Sequence, residues 1–463
     1  MCIRDRLSLL LSLLLSLLLS LLPPTILILL ILLQVSKSIL KLNNNSKLKI
    51  IDSDGSLYID TPYRQDLSHV PDTFTVYKEK VEKLSKVRSM LPSLEVGQLP
   101  ISSSINEMYS DTFSDVYLPS LNTLINTTNN NDDNDDSKKG VMIFKGGESE
   151  AIKRLNTWMF DEDNLKDYFD IRNGMLGSTY SSKLSPWLAL GCISPRYIYE
   201  AVKRYEQGRV ANKSTYWLIF ELIWRDFYRA LCGKYNNKIF QIGGAHSISK
   251  QWNKNEEYIR RWKDGMTGYP LVDANMRELK NTGWMSNRGR QNVASFLVLD
   301  LQVDWRIGAD HFESYLIDHD VYSNYGNWNA AAGLTGGRVN KFNIAKQSKD
   351  YDANGAYLRH WLPELKHVPA PLIHEPWRLT ESEQEKYQVK IGEDYPQPIR
   401  ISNNNNDNHS TVFKGSSSNN KNSKSSSNNN SNNNNGGKSS GGGSSNNGVK
   451  RGRRDGAPRV QHF

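Results

Sequence analysis

The chain has 463 residues, of which 38% are hydrophobic and 23% are charged, and this length suggests roughly two or three domains. Its 32 glycines and 17 prolines follow no triplet period, which excludes a collagen-like fibre, and its three cysteines lack the spacing of a disulfide scaffold. A net charge of +9 favours an anionic partner, and the few cysteines fit a reducing intracellular compartment.

The chain begins with a run of Leu, Ser and Ile at residues 7–33, interrupted only by Pro-Pro-Thr at residues 23–25. Its length and lack of charge are typical of a signal peptide or a membrane anchor. Its first half is a regular Leu-Ser-Leu-Leu repeat, which is also typical of a short nucleotide repeat or a misassembled gene start. Both interpretations stay open, and a membrane partner is expected only if the run is a genuine anchor.

Composition changes again further along the chain. Residues 57–100 have ordinary globular composition, and a charged helix is predicted over residues 78–89. The acidic, Asn-rich insert at residues 126–139 and the Asn, Ser and Gly tail after Ile401 cannot form a core, so both are predicted to be disordered. The tail ends in a basic cluster at residues 450–454, which either binds RNA or single-stranded DNA through phosphates or is a solvated or localisation segment.

The dense globular block between residues 146 and 387 shows the 3.6-residue period of helices and almost no strict alternation. Helices are predicted over residues 214–234, 273–279 and 287–301. A further helix is predicted to begin near Ser185, because serine suits the N-cap and the proline after it suits the first turn. A block of this size, rich in tryptophan, can bury a substantial core.

Glu221 lies in an apolar run of the helix predicted over residues 214–234. Trp217, Trp224 and Arg225 share its helical face. A buried carboxylate is costly unless it is paired or meets a ligand, so the pattern indicates either a cleft wall or an internal pair of Glu221 with Arg225.

Two further segments combine amide, cationic and acidic side chains. Asn287, Arg290 and Gln291 fall on one stripe of a predicted helix, which suits a ligand with both hydrogen-bonding edges and negative charge. Asp318 and Asp320 are close enough to repel, so one of them is expected to have a cationic partner such as Arg290.

The loop Ser-Ser-Lys-Leu-Ser at residues 181–185 precedes a predicted helix start. Its hydroxyls, its free backbone N–H groups and the helix dipole together suit a phosphate group. Two histidines, His311 and His319, lie near the acidic pair, but their spacing matches no standard zinc pattern. The sequence therefore predicts a phosphate-bearing ligand and no metal.

Taken in order, these segments resemble the flavin domain of the photolyase/cryptochrome family, and within it the DASH-type cryptochromes. The resemblance covers about residues 146–377 and is specific, because many motifs keep their order and spacing. The motifs are Phe-Lys-Gly-Gly-Glu at 144–148, Arg-Asn-Gly-Met-Leu-Gly at 172–177, the stretch 180–196, Glu-Leu-Ile-Trp-Arg at 221–225, Thr-Gly-Tyr-Pro at 267–270, Gly-Trp-Met-Ser-Asn-Arg at 283–288 and Trp-Leu-Pro-Glu-Leu at 361–365.

The resemblance implies a mainly α protein that is a monomer. An all-helical FAD-binding domain would occupy residues 141–390, after the remnant of an N-terminal α/β domain and a linker at residues 50–125. Low-complexity segments would occupy residues 1–40, 126–140 and 400–463. The start of the chain shows no alternation of strands and helices, which argues against the folate antenna, methenyltetrahydrofolate, that the family's N-terminal domain can carry.

The resemblance also implies that FAD is held in a U shape on the floor of a helical cavity. Arg290 would pair with Asp318, and Asn324 would lie by the flavin N5, where a neutral amide tolerates a reduced flavin. The implied cofactor-binding residues are Tyr168, Ser181, Ser182, Lys183, Leu184, Ser185, Glu221, Arg225, Asn287, Arg290, Asp318, His319, Asp320 and Asn324.

Light-driven electron transfer is a further implication of the resemblance. Trp328, Trp305 and Trp262 match the family's tryptophan chain, with Trp262 at the surface, and they join Glu221 and Asn324 as the implied catalytic residues. The family's substrate is a cyclobutane pyrimidine dimer flipped out of DNA, and the DASH group is associated with dimers in single-stranded nucleic acid. The implied substrate wall is Glu221, Trp224, Asn287 and Gln291.

Ala330 departs from the family, which usually places an aromatic there that stacks on the lesion, and its absence could remove about 1–3 kcal/mol of stacking. The leading hypothesis is a blue-light flavoprotein with the activity of a deoxyribodipyrimidine photolyase-type lyase. One alternative is a blue-light photoreceptor that signals without repair. The other is a nucleic-acid-binding protein that needs no flavin.

Overall fold

The structure, a computed structural model, describes residues 55–90, 140–337 and 339–401. The Leu-rich run, the acidic insert at residues 126–139 and the tail after residue 401 lie outside these residues, and the predictions made for them stay predictions. Within the described residues the only β-type pairing is two isolated bridges, which confirms the mainly α fold. None of the helices in these ranges is long and apolar enough to cross a bilayer.

The described residues form fifteen α-helices, joined by short 3₁₀ and π-helical turns. In chain order the α-helices are α1 (Phe74–Leu84), α2 (Glu148–Asn156), α3 (Tyr168–Ile171), α4 (Ser185–Ala189), α5 (Pro195–Gly208), α6 (Lys213–Tyr235), α7 (Glu256–Lys263), α8 (Pro270–Thr282), α9 (Asn287–Ser295), α10 (Trp305–Tyr315), α11 (Val321–Ala331), α12 (Ile344–Tyr351), α13 (Ala356–Trp361), α14 (Ala370–Ile373) and α15 (Glu381–Lys386).

The helix predicted over residues 214–234 is α6, and it begins within one residue of the predicted position. Asn212 and Thr215 form a capping box there, since each side chain accepts a hydrogen bond from the other's backbone N–H. The helix predicted near Ser185 is α4, a short helix with a proline in its first turn. Both predictions are confirmed.

Three predicted helices are present with different bounds. The helix predicted over residues 273–279 is longer and begins at Pro270, because proline fits the first turn. The one predicted over residues 287–301 changes after α9 into a π-helical turn at Phe296–Asp300. The one predicted over residues 78–89 lies earlier, as α1, because its buried side chains begin four residues upstream of the predicted start.

Helix α6 is the element against which α1, α3, α5 and α11 pack. The Phe74 ring of α1 stacks flat on Trp224 of α6, with ring centroids 3.6 Å apart. Asp226, which is 3% exposed, accepts the backbone N–H groups of Leu57 and Tyr58 at 3.0 and 2.8 Å. These contacts attach residues 55–90 to the helical body.

Two clusters of buried side chains form the core. The first joins residues from Leu57 to Leu231, and the second joins residues from Met175 to Ile399. In the second cluster, α10 and α11 approach closely because Gly308 has no side chain: a Cβ there would lie 2.2 Å from a ring carbon of Trp328. The cavity described next is lined by residues of both clusters.

Candidate functional site

A cavity of about 1190 Å³, including its open mouth, is lined by α3, α4, α6, α9 and α11. Every predicted cofactor-binding residue except His319 and Asn324 lines the cavity, as does Trp224 of the predicted substrate wall. The cavity-lining residues from the prediction are Tyr168, Ser181, Ser182, Lys183, Leu184, Ser185, Glu221, Trp224, Arg225, Asn287, Arg290, Asp318 and Asp320.

A buried ion pair forms one part of the cavity wall. Arg290 Nη2 donates to both carboxylate oxygens of Asp318, at 3.0 and 2.8 Å, and the two side chains are 9% and 2% exposed. Ser185 Oγ donates to the same carboxylate at 2.6 Å. Asp320 instead caps α11, where it accepts the Ser323 N–H at 2.8 Å. The expected cationic partner of the acidic pair is therefore present on Asp318.

The serine-rich loop is held from behind by Arg154 of α2. Its guanidinium donates to the backbone carbonyls of Ser178, Ser181 and Ser182 at 2.6, 3.1 and 3.0 Å. Lys183 has a left-handed backbone, with φ of 54°, and its side chain is buried beside the loop hydroxyls. Burial, together with the neighbouring Arg154 cation, lowers the pKa of Lys183 to about 8. The hydroxyls and the Lys183 side chain at this loop suit a phosphate group.

Glu221 of α6 lies at the cavity wall in contact with both a cation and an indole. Its Oε1 accepts from Trp217 Nε1 at 3.0 Å and from Arg172 Nη1 at 3.1 Å. Sequence reasoning missed Arg172 as a partner of this carboxylate, although the residue opens one of the quoted motifs. Arg225 donates to the carbonyl of Gly55 at 2.7 Å.

Three of the predicted cofactor- or substrate-binding residues are not among those that line the cavity. Asn324 donates to the Ala309 carbonyl at 3.0 Å, and Gln291 accepts from Arg288 at 2.9 Å. His319 points toward Glu313, with 4.0 Å between Nε2 and a carboxylate oxygen. The ligand contacts predicted for these three residues stay predictions.

Asn327 of α11 is a cavity residue that sequence reasoning missed. Its amide nitrogen donates to the Ser323 carbonyl at 2.8 Å, and its Oδ1 is buried with no hydrogen-bond partner within the described ranges. A buried acceptor without a partner is costly, so this oxygen indicates a ligand that donates a hydrogen bond. An asparagine beside a tryptophan produces no hydrophobic periodicity, so the sequence could not show that this residue lines the cavity.

The three predicted tryptophans are all fully buried, which contradicts the surface position assigned to Trp262. Its ring meets Trp328 edge-on with centroids 6.3 Å apart, and its Nε1 donates to the Val293 carbonyl at 3.1 Å. Trp252, by contrast, is only partly buried. Its neighbour Asn253 pairs with the backbone at Gln302 and Val303, just before Trp305.

The residues of the cavity fit FAD better than a metal. The loop hydroxyls and Lys183 suit phosphates, the Arg290–Asp318 pair and Asp320 suit polar ring and sugar edges, and the Asn327 oxygen suits an N–H donor. In residues 55–90, 140–337 and 339–401, no group of three or more His, Cys, Asp or Glu side chains is placed to hold a metal ion. The individual roles predicted for these residues remain proposals.

Comparisons with known proteins agree with a cavity whose residues fit FAD. Residues 217–414 match the family model described as the FAD binding domain of DNA photolyase. The chain is 48% identical over 347 residues to the cryptochrome DASH, chloroplastic/mitochondrial, of Ostreococcus tauri, which covers 74% of this chain and 62% of that protein. It is 48% identical over 341 residues to the cryptochrome DASH of a Synechocystis species, which covers 73% of this chain and 66% of that protein.

A solved structure is similar as well. The crystal structure of a Synechocystis cryptochrome superimposes with a TM-score of 0.62 at 46% sequence identity, over 74% of this chain and 68% of that one. The chain thus spans about two thirds or less of the length of the first two relatives, 62% and 66%.

Proposed function

Because the chain belongs to the DASH cryptochromes of the photolyase/cryptochrome family, we propose that it is a blue-light flavoprotein that splits cyclobutane pyrimidine dimers in single-stranded DNA. Its photolyase-type domain binds FAD, which when bound supplies light absorption and one-electron chemistry. The observation that carries the proposal is one cavity that joins the buried Arg290–Asp318 pair to the carboxylate of Glu221.

The cavity residues divide by chemistry into a cofactor side and a substrate side. The 181–185 loop and its Lys183 would hold phosphates, and the Arg290–Asp318 pair would bind polar edges of the cofactor. Glu221, Trp224 and Asn287 would form the substrate wall, where a carboxylate accepts hydrogen bonds from base N–H groups and an indole stacks on a flipped base. Gln291 would act behind this wall, because Arg288 holds its side-chain oxygen.

Three tryptophans would carry electrons into the cavity. Trp328 packs against Gly308 of α10, and Trp305 begins the same helix one turn earlier. We propose Trp252 as the outer member, in place of the buried Trp262. Trp305→Phe is therefore expected to slow light-driven flavin reduction more than Trp262→Phe.

A second candidate function is photoreception without repair, and Ala330 favours it. The residue lies near the end of α11, partly buried, and has no ring that could stack on a lesion. The same flavin and tryptophans would then serve a light-dependent signal. The two functions differ in whether illumination changes a dimer.

The test is illumination of the reduced, FAD-loaded protein with a single-stranded oligonucleotide that contains one pyrimidine dimer. We expect repaired bases from the wild type and unchanged FAD content in Glu221→Gln. A hydrogen bond to a charged group is worth roughly 1.5–3 kcal/mol, so repair by this variant should fall by about 10- to 100-fold. Glu257→Gln is the matched control, because Glu257 is an exposed residue of α7 that pairs with Arg260.

The possible outcomes separate the hypotheses. A wild type that binds FAD, reduces it in light and leaves the dimer intact is a photoreceptor without repair. A protein that takes up no FAD would leave only the nucleic-acid-binding hypothesis. Equal repair by Glu221→Gln and Glu257→Gln would refute the substrate wall while leaving the repair activity in place.

A further inference from the structure

Tyr325 is a buried phenol in contact with the tryptophan path. It lies on α11, three residues before Trp328, and its side chain is 8% exposed. Its ring meets the Trp305 ring edge-on, with centroids 6.2 Å apart and planes at 86°. This separation is that of an ordinary aromatic pair in contact, so the two rings are close enough for an electron to pass between them.

The phenol hydroxyl lies within hydrogen-bond distance of two carboxylates. The Tyr325 O–H donates to Glu313 Oε2 at 2.9 Å and to Asp310 Oδ1 at 3.2 Å. Both acids belong to α10, the helix that Trp305 begins. Both distances lie within the range in which a base can take a proton directly. Tyr325 is thus an electron donor whose proton has an acceptor already in place.

In the part of the chain that the structure describes, Trp305 has no such acceptor among its contacts. Its Nε1 donates to the backbone carbonyl of Ile242 at 3.1 Å, and its side chain is fully buried. An amide carbonyl is a hydrogen-bond acceptor but not a base that takes up a proton near neutral pH. An oxidised Trp305 would therefore keep its proton and its positive charge in the core, which burial makes costly.

Resting on the electron path proposed above, we propose that Tyr325 is a side branch that reduces oxidised Trp305 by transferring one electron while its proton moves to Glu313. Bound FAD would supply the oxidant when it absorbs light, and Trp328 would pass on the electron that Trp305 gives up. The Tyr325 O–H bond breaks, the electron passes to the Trp305 radical cation, and the proton forms a bond with Glu313 Oε2. The products are neutral Trp305, a neutral Tyr325 phenoxyl radical and a protonated Glu313.

The surroundings of Tyr325 suit the end of such a branch. It borders a small open surface pocket together with Phe240, Asp304, Arg306, Ile307 and Asp310. A soluble reductant such as a thiol can reach this pocket, whereas Trp305 is fully buried. A neutral radical near the surface also carries no charge that would draw the transferred electron back, so charge separation should last longer.

The test is flash photolysis of the FAD-loaded protein, followed by transient absorption and electron paramagnetic resonance. We expect a tyrosyl radical in the wild type, formed more slowly in D₂O than in H₂O because a proton moves with the electron. Tyr325→Phe should lose this signal and retain the tryptophan radical for longer. Tyr322→Phe is the matched control, one turn earlier on the same helix and 38% exposed, and it should behave as the wild type.

A second variant separates chemistry from packing. The double variant Asp310→Asn, Glu313→Gln keeps the phenol and its contact with Trp305 but replaces both bases by amides, so the tyrosyl signal should again be lost. Normal tryptophan radicals with no tyrosyl radical in the wild type, or a tyrosyl signal that survives in Tyr325→Phe, would overturn the branch alone. Absence of every amino-acid radical would overturn the electron path and the branch together.

Discussion

Replacement of Asp318 by Asn should destabilise the protein more than the loss of most single ion pairs. The Asp318 carboxylate is 2% exposed and neutralises Arg290, whose side chain is 9% exposed. Removing one partner of a buried pair leaves an uncompensated charge and costs roughly 3–5 kcal/mol. Because Asn keeps one acceptor oxygen for the Arg290 and Ser185 donors, we expect a loss of about 3 kcal/mol in the free energy of unfolding.

Urea unfolding of the full chain, followed by circular dichroism, measures this loss. The control is Asp350→Asn, because the Lys346–Asp350 pair has side chains 68% and 41% exposed and should change the free energy by less than about 1 kcal/mol. The double variant Arg290→Met, Asp318→Leu removes both charges and should be more stable than Asp318→Asn. If Asp318→Asn and Asp350→Asn lose equal stability, the charge of Arg290 is not buried as described.

Two further expectations concern buried positions outside the cavity. Glu278 accepts the Tyr357 hydroxyl at 2.7 Å, and burial raises its pKa from 4.5 to about 8. The unfolded chain therefore releases this proton at lower pH than the fold does, so the stability contribution present below pH 4.5 is lost as pH rises toward 8. Glu278→Gln should flatten the decline of unfolding free energy between those pH values, and an unchanged slope would count against the assignment. Gly308→Ala would place a methyl group against the Trp328 ring, and we expect a loss of about 1–3 kcal/mol with altered tryptophan fluorescence; an unaltered spectrum and midpoint would show that the two helices are not in close contact.

Features of the fold and of the site could be predicted from the sequence where they depend on neighbouring residues. Helix α6 could be predicted almost to the residue, because its long apolar run has a 3.6-residue period. The pairing of Arg290 with Asp318 could be predicted from the cost of two neighbouring carboxylates. The π-helical turn Phe296–Asp300 could not, because it continues the same apolar period with only its hydrogen bonds changed.

Long-range packing explains the remaining differences. The family resemblance implied a surface position for Trp262, whereas contacts with Trp328 of α11 and His311 of α10 bury it. Arg172 reaches Glu221 across 49 positions of sequence, a separation at which no helical period operates. Whether such side chains are buried, and which residues they contact, depends on tertiary structure. The periodicity of the sequence does not reveal it.

Arg154 does not line the cavity, yet its guanidinium binds the backbone carbonyl of Ser178 and two carbonyls of the 181–185 loop. The backbone of this loop is therefore positioned by α2, a helix that begins well before it in the chain. If the loop binds the cofactor as proposed, a substitution of Arg154 would change cofactor retention without removing a ligand contact. A mutational survey restricted to pocket-facing positions would miss it. On this proposed role of the loop, flavin affinity could be changed, in evolution or in the laboratory, by substitution of a residue outside the pocket.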